Sequence, residues 1–274
     1  MGPECAKHVT GEKIMSDAAI SQKQDIMDKT AEQFGAQSRD PGWTLTQKLA
    51  LACRILAREG HGSGLAGQMT ARGGPPGTMW THPYGFGFNE LKASDYMLVD
   101  EQLNVLEGDG TPNPANRFHL HVYKVRPDVQ AIVHTHPPCI SALSMIGEEL
   151  AVSHMDTSLL YEDCAYLPHW PGVPFGDGEG ELISGALGDK RAILLAHHGQ
   201  LCAGRSLEEA TVLSVTIEHA AKIQLLAHGA GEIRPIVPEL GREAHDWRLR
   251  PEQIALNFQY YARQALAEGE DCLQ

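Results

Sequence analysis

In the run "AIVHTHPP", His134 and His136 stand one residue apart, at the end of an apolar stretch and just ahead of two prolines. Side chains at i and i+2 of a strand share a face, so the two imidazoles project together while Thr135 turns away. A second apolar run, "RAILLAHHGQLCAG", reaches His197 and His198 and then Gly199, a residue that lets neighbouring backbone approach closely. Three protein ligands and one open position make the usual set of a catalytic divalent metal. The His-x-His pair supplies two, and one histidine of the second run supplies the third. On a regular strand His197 and His198 point to opposite sides, and spacing does not choose between them. A lone strand-end histidine is ordinarily a satisfied structural group. Two converging strand ends point to a metal.

Both histidine runs have the length and apolar density of buried strands, each followed by a breaker. Upstream, "TLTQKLALACRILAREG" places Leu45, Leu49, Cys53 and Leu56 at helical spacing, with Thr44 as N-cap and Gly60 at the end. "HGSGLAGQMTAR" reads as a tight loop feeding a strand. "GTMWTHPYGFGFNEL" predicts a strand, a turn at Pro83–Gly85 and a second short strand. Ser94 opens a turn or short helix, and "YMLVDEQLNVLEGDG" predicts a hairpin. "NRFHLHVYKVRPDV" is a helix that ends before Pro127. The longest helical pattern is "SLEEATVLSVTIEHAAKIQLLAHGAG", with Ser206 and Glu209 forming a capping box. Helical spacing returns at "RPEQIALNFQYYARQALAEG". Residues 1–40 lack sustained periodicity and read as an N-terminal arm with a short helix around Gln22–Phe34. Residues 41–274 read as a single α/β domain with a C-terminal helical extension.

The 274 residues are 42% apolar and carry a net charge of −13, with a pI near 5.5. A nucleic acid or an anionic membrane surface would require a basic patch, so neither is an expected partner. No apolar run is long enough to span a bilayer, and the first residues show no signal-peptide pattern. Six scattered cysteines without a C-x-x-C pair read as reduced thiols. The expectation is a cytoplasmic protein that binds a small molecule.

"RPDVQAIVHTHPP", then "AILLAHHGQLCAG" and a long helix, with "HGSGLAGQMTAR" upstream, resemble the class II aldolase/adducin family over roughly Leu45 to Gly229. The resemblance implies a three-layer α/β/α arrangement around a mostly antiparallel sheet, a homotetramer, and sites at subunit interfaces. It also implies that His134, His136 and His198 hold a divalent ion, usually Zn²⁺, with His197 as a neighbour outside the ligand set. Mn²⁺, Fe²⁺, Co²⁺ or Ni²⁺ would suit the same histidines.

Several residues depart from the aldolase pattern. The aldolases carry a catalytic glutamate four residues before a helix histidine. Counting back from His119 lands on Ala115, which cannot transfer a proton. At the three segments that bind substrate phosphate in the aldolases, this chain has Gly67–Gln68, "HPYG" with Tyr84, and "NPAN". The small hydroxyl donors suited to a phosphate are missing there. The resemblance leaves Gly67, Gln68, Tyr84, Asn116 and Arg117 as substrate-binding candidates, Arg117 as a carboxylate clamp. His119 is a candidate for the layer behind the ligands. His154 or Tyr161 falls nearest the tyrosine that a neighbouring aldolase subunit contributes as proton donor. The reading is a metal-dependent carbon–carbon lyase, aldolase or decarboxylase, acting on a small oxygenated or carboxylated substrate without phosphate. The competing reading is an adducin-like assembly module without catalysis.

Overall fold

The computed structural model describes residues 17–38, 41–173 and 176–274, and it divides into two compact units, 1–39 and 40–274. In the first unit, helix α1 (Asp17–Gln37) is longer than the segment expected around Gln22–Phe34.

The second unit contains α2 (Leu45–Leu56), β1 (Gln68–Arg72), β2 (Met79–Thr81), β3 (Met97–Val99), β4 (Val105–Glu107), α3 (Asn116–Val125), β5 (Ala131–Thr135), α4 (Pro138–Met145), β6 (Cys164–Leu167), α5 (Asp177–Leu187), β7 (Ala192–Leu195), β8 (Gly199–Gly204), α6 (Leu207–His228), α7 (Pro238–Arg248) and α8 (Pro251–Leu266). Its eight-stranded sheet runs β4-β3-β2-β1-β5-β8-β7-β6. Every pairing is antiparallel except β6 with β7, which α5 joins as a crossover helix.

The period-2 alternation of the central strands builds two cores. Ala131 and Val133 of β5 point into a core shared with α2, α4, α6 and α8, whereas Ile132 points into a second core with Phe118 and Val122 of α3 and Ile183 and Leu187 of α5. Helices thus cover both sheet faces, which explains why the central strands read as continuous apolar runs. This is the three-layer α/β/α arrangement expected.

Local signals explain the element ends. Thr44 and Gln47 form a reciprocal capping box at α2. At α6 the Ser206 hydroxyl accepts from the Glu209 amide, but the Glu209 carboxylate turns away to take the Arg191 guanidinium at 2.9 Å. The expected second strand after Pro83–Gly85 does not form, because residues 86–91 run as turns with Phe88 buried and Phe86 exposed. Residues two apart on a strand would share one face, and these two do not. The largest correction concerns "LLAHHGQL". Leu195 pairs directly with Gly199, so Ala196, His197 and His198 form the turn of a β7–β8 hairpin. His197 takes a left-handed φ of 55° at its apex.

A buried ion cluster ties α7 to this sheet. Asp163 accepts from Arg191 Nη1 at 2.6 Å and from the Arg191 amide at 2.8 Å, and it faces His245 Nε2 of α7 at 3.1 Å. Burial works against a charged His245, but its hydrogen bonds to Asp163 and Asp246 outweigh that and hold its pKa above the usual value. A raised pKa means that the pair's stabilisation is complete below the unfolded imidazole value, about 6.5. It is lost as pH rises through the folded value. Melting curves of the wild type and His245→Ala should therefore differ most in mild acid, by about 1–2 kcal/mol, and converge toward alkaline pH. A constant gap across pH would show that only packing was removed.

Candidate metal centre

The His-x-His pair leaves β5 where this strand lies between β1 and β8. His134 is opposite Gln68 on one side and Leu201 on the other. His198 arrives from the hairpin turn. The three rings pack with centroids 4.7 Å apart in every pairing, and one ligand nitrogen from each falls within 4.8 Å of the others. His134 is buried, while His136 and His198 are half-buried and keep one side of the cluster open.

The electrostatics suit a cation. His134 Nδ1 lies 2.8 Å from the Gln200 carbonyl oxygen, which only accepts, so Nδ1 carries the proton and Nε2 turns its lone pair inward. His136 Nε2 is 2.9 Å from that atom. Burial holds His134 well below the usual imidazole pKa, lowers His136, and brings His198 to about 4, with the other histidines of the cluster adding to the effect on His134 and His198. All three are neutral near pH 7, the state a metal ligand requires. Three neutral nitrogen donors, one of them oriented by a backbone carbonyl, with an open side: the residues fit a divalent ion.

Local packing builds this convergence. A Cβ on Gly199 would come within 2.5 Å of the Thr135 carbonyl oxygen and 2.6 Å of His136 Cδ2. Only glycine lets the hairpin lie this close to β5. Gly67, with φ 103°, does the same on the other side, where a Cβ would sit 3.1 Å from the His134 carbonyl oxygen. Phe118 presents its ring edge-to-face with His134 at 4.9 Å. Behind Pro137, the amides of Cys139 and Ile140 donate to the two carboxylate oxygens of Glu218 at 2.9 and 2.8 Å, which caps α4 from another helix.

The other candidates separate by location. Gln68 is buried in the strand beside His134. Asn116 is buried and donates to Thr81 Oγ1 at 2.9 Å, with no partner for its Oδ1 among the described residues. His119 is fully buried, with Nδ1 2.9 Å from Thr70 Oγ1, and burial lowers its pKa to about 3. Ala115 stands at the first turn of this helix and offers no proton-transfer group. Arg117 faces outward with Arg72, His121 and Lys124 around a cavity of about 490 Å³ that no triad histidine lines. Tyr84 is 56% exposed. His197 is exposed at the hairpin apex, where its left-handed backbone turns the ring outward instead of behind the triad. The Tyr161 ring lies against Gly241, where a Cβ would meet its carbons at 2.5–2.7 Å, and His154 is exposed beside Asp156. Gln200, Glu218 and Ser63, whose hydroxyl donates to the His136 carbonyl at 3.3 Å, have no motif that announces them. Of these, only Gln200 stands beside the histidine motif.

With this geometry in place, the comparisons with known proteins are specific. The model of the class II aldolase and adducin N-terminal domain matches residues 47–225. The chain is 30% identical over 197 residues to a 4-hydroxy-3-prenylphenylpyruvate oxygenase/4-hydroxy-3-prenylbenzoate synthase of Streptomyces roseochromogenus subsp. oscitans, covering 70% of this chain and 71% of that protein. It is 30% identical over 205 residues to a 3,4-dihydroxyphthalate decarboxylase of Arthrobacter keyseri, covering 70% and 82%. An L-fuculose 1-phosphate aldolase structure from Glaciozyma antarctica PI12 superposes with a TM-score of 0.77 at 28% identity, over 87% of this chain and 98% of that one. The matched span contains the whole histidine cluster and the strands that carry it, and on these grounds the chain belongs to the class II aldolase and adducin family.

Proposed function

We propose that this protein is a divalent-metal-dependent lyase that decarboxylates or cleaves a small carboxylated substrate without phosphate. The observation that carries the reading is the convergence of three neutral histidine nitrogens beside an open side, in a chain related to decarboxylases and aldolases. His134, His136 and His198 are the proposed ligands, and Zn²⁺ is the proposed ion. A divalent ion held there supplies Lewis-acid stabilisation of the negative charge that develops on substrate oxygen as a carbon–carbon bond breaks. The chain's own residues orient the rest. The Gln200 carbonyl holds the His134 tautomer, and Phe118 excludes water from that flank. Gln68 and Asn116 present polar groups on the same sheet face. Ala115 favours decarboxylation over aldol cleavage, because the departing carboxylate needs an electron sink more than a base at that position. The bond electrons pass toward the substrate oxygen, carbon dioxide leaves, and the carbon takes up a proton. Exposed His154 of a neighbouring subunit is the donor we assign, in a cytoplasmic homotetramer.

Ala115 also suits an adducin-like assembly role, and one experiment separates the two. Protein purified without added metal is analysed for its elements, then assayed for carbon dioxide release from a panel of hydroxy- and keto-acids, with sugar phosphates alongside. Bound metal with turnover of the carboxylates alone supports the lyase. A protein that holds no ion and refuses added Zn²⁺ or Mn²⁺ overturns it.

A further inference from the structure

The helical path that begins with α2 breaks at Gly60, whose left-handed φ of 88° turns the chain, and the next residue, His61, is buried in the core beneath β5. His61 is 1% exposed, and its Nδ1 lies 2.8 Å from Thr135 Oγ1. Thr135 is the residue between His134 and His136, and it faces away from them. The same hydroxyl oxygen receives Gln200 Nε2 at 2.6 Å, while the Gln200 main-chain carbonyl accepts from His134 Nδ1. Two residues past His61, the Ser63 hydroxyl donates to the His136 carbonyl. The segment from His61 to Ser63 therefore holds the Thr135 hydroxyl and the His136 carbonyl.

Stability alone does not account for this histidine. Its Nε2 is buried with no hydrogen-bond partner among the described residues, and so is Gln200 Oε1. A buried unsatisfied polar atom destabilises the fold, whereas an apolar side chain of similar size would fill the same core without that cost.

We propose that His61 is a positioning residue for the metal centre, holding the His134–His136 segment through Thr135 Oγ1 so that both imidazoles meet His198. This rests on the triad binding a divalent ion. Co²⁺ serves as the probe, because its visible absorption reports ligand geometry apart from any activity. Wild type, His61→Leu, His61→Asn and Thr135→Val are compared for Co²⁺ affinity against a competing chelator, for the visible spectrum, and for metal-free melting temperature. Loss of groups that orient ligands typically weakens metal binding about 10–100-fold. His61→Leu should bind Co²⁺ weaker by that factor with a changed spectrum, while its metal-free form melts at or above the wild-type temperature. His61→Asn, whose amide can replace Nδ1, should recover most of the affinity. Thr135→Val should match His61→Leu, which keeps the test open if the leucine variant does not fold. Wild-type affinity and spectrum in His61→Leu or Thr135→Val would overturn the inference while leaving the metal centre standing. Wild-type protein that binds no Co²⁺ would overturn the metal reading and this inference with it.

Discussion

His134→Ala should purify nearly free of metal and turn over at least roughly 10³-fold more slowly than wild type, with its secondary structure unchanged. The size follows from what the ion contributes, several kcal/mol of charge stabilisation in the transition state, at 1.36 kcal/mol per factor of ten. His134 is the most telling of the three positions because it is buried and because the Gln200 carbonyl already fixes its tautomer. Removing it deletes a ligand and an edge-to-face contact with Phe118, so some stability is lost as well. Comparison with His198→Asn isolates the metal effect, since His198 sits half-buried on a hairpin turn. Elemental analysis and circular dichroism read both variants. Full metal content in His134→Ala would remove it from the ligand set.

Gly199→Ala should destabilise the protein by about 1–3 kcal/mol and weaken metal binding, although it adds a single methyl group. Elsewhere the sign is opposite. In α5 a Cβ on Gly185 meets nothing within 4 Å, so Gly185→Ala should stabilise by up to about 1 kcal/mol through helix propensity and a restricted unfolded chain. At Gly199 the backbone would also accept alanine, because its φ is not positive. The obstacle is the Thr135 carbonyl at 2.5 Å and the His136 ring at 2.6 Å from the new Cβ. A paired backbone carbonyl cannot move aside, so the hairpin must, and it carries His198 with it. Paired denaturant titrations of the two variants check the contrast. Equal stabilisation by both would mean that the close packing of hairpin on ligand strand is unimportant.

The parts of this protein that were legible in its sequence are those where one period governs several residues. "AIVHTH" has the length and apolar start of a buried strand, so the shared face of His134 and His136 followed from strand geometry. Helices α2 and α6 carry their spacing and caps openly, and α3 stops short of Pro127 as its sequence requires. The hairpin between β7 and β8 stayed hidden because "AHHG" lacks the Asn-Gly or Asp-Gly pair that announces a tight turn. Its two strands therefore merged into one apolar run. Resemblance, and not alternation, singled out His198, since a turn ignores the period of two. Helix α4 was masked by its own start: Pro137 and Pro138 read as a breaker, yet Pro138 occupies the first helical turn, where proline is favoured. Arg117 looked like a substrate clamp from its place in the chain, but helical rotation sends it outward while Asn116 and His119 face the sheet. His61 had no signal of any kind. Its importance lies in one hydrogen bond to a residue 74 positions away.

The placement of the three histidines also bears on the order of events when the chain first folds. His134 and His136 leave one strand and His198 enters the next, and what unites them is the β5–β8 pairing, in which His134 bonds Gln200 across 66 positions of sequence. Closing a loop of that length is slow and comes after local helices and hairpins have formed. An ion in solution thus meets no complete set of donors until the sheet's central pairing is made. On the proposed reading such an ion rewards that pairing without guiding the search for it, and the expected result is slower opening of the native state with an unchanged folding rate when metal is present.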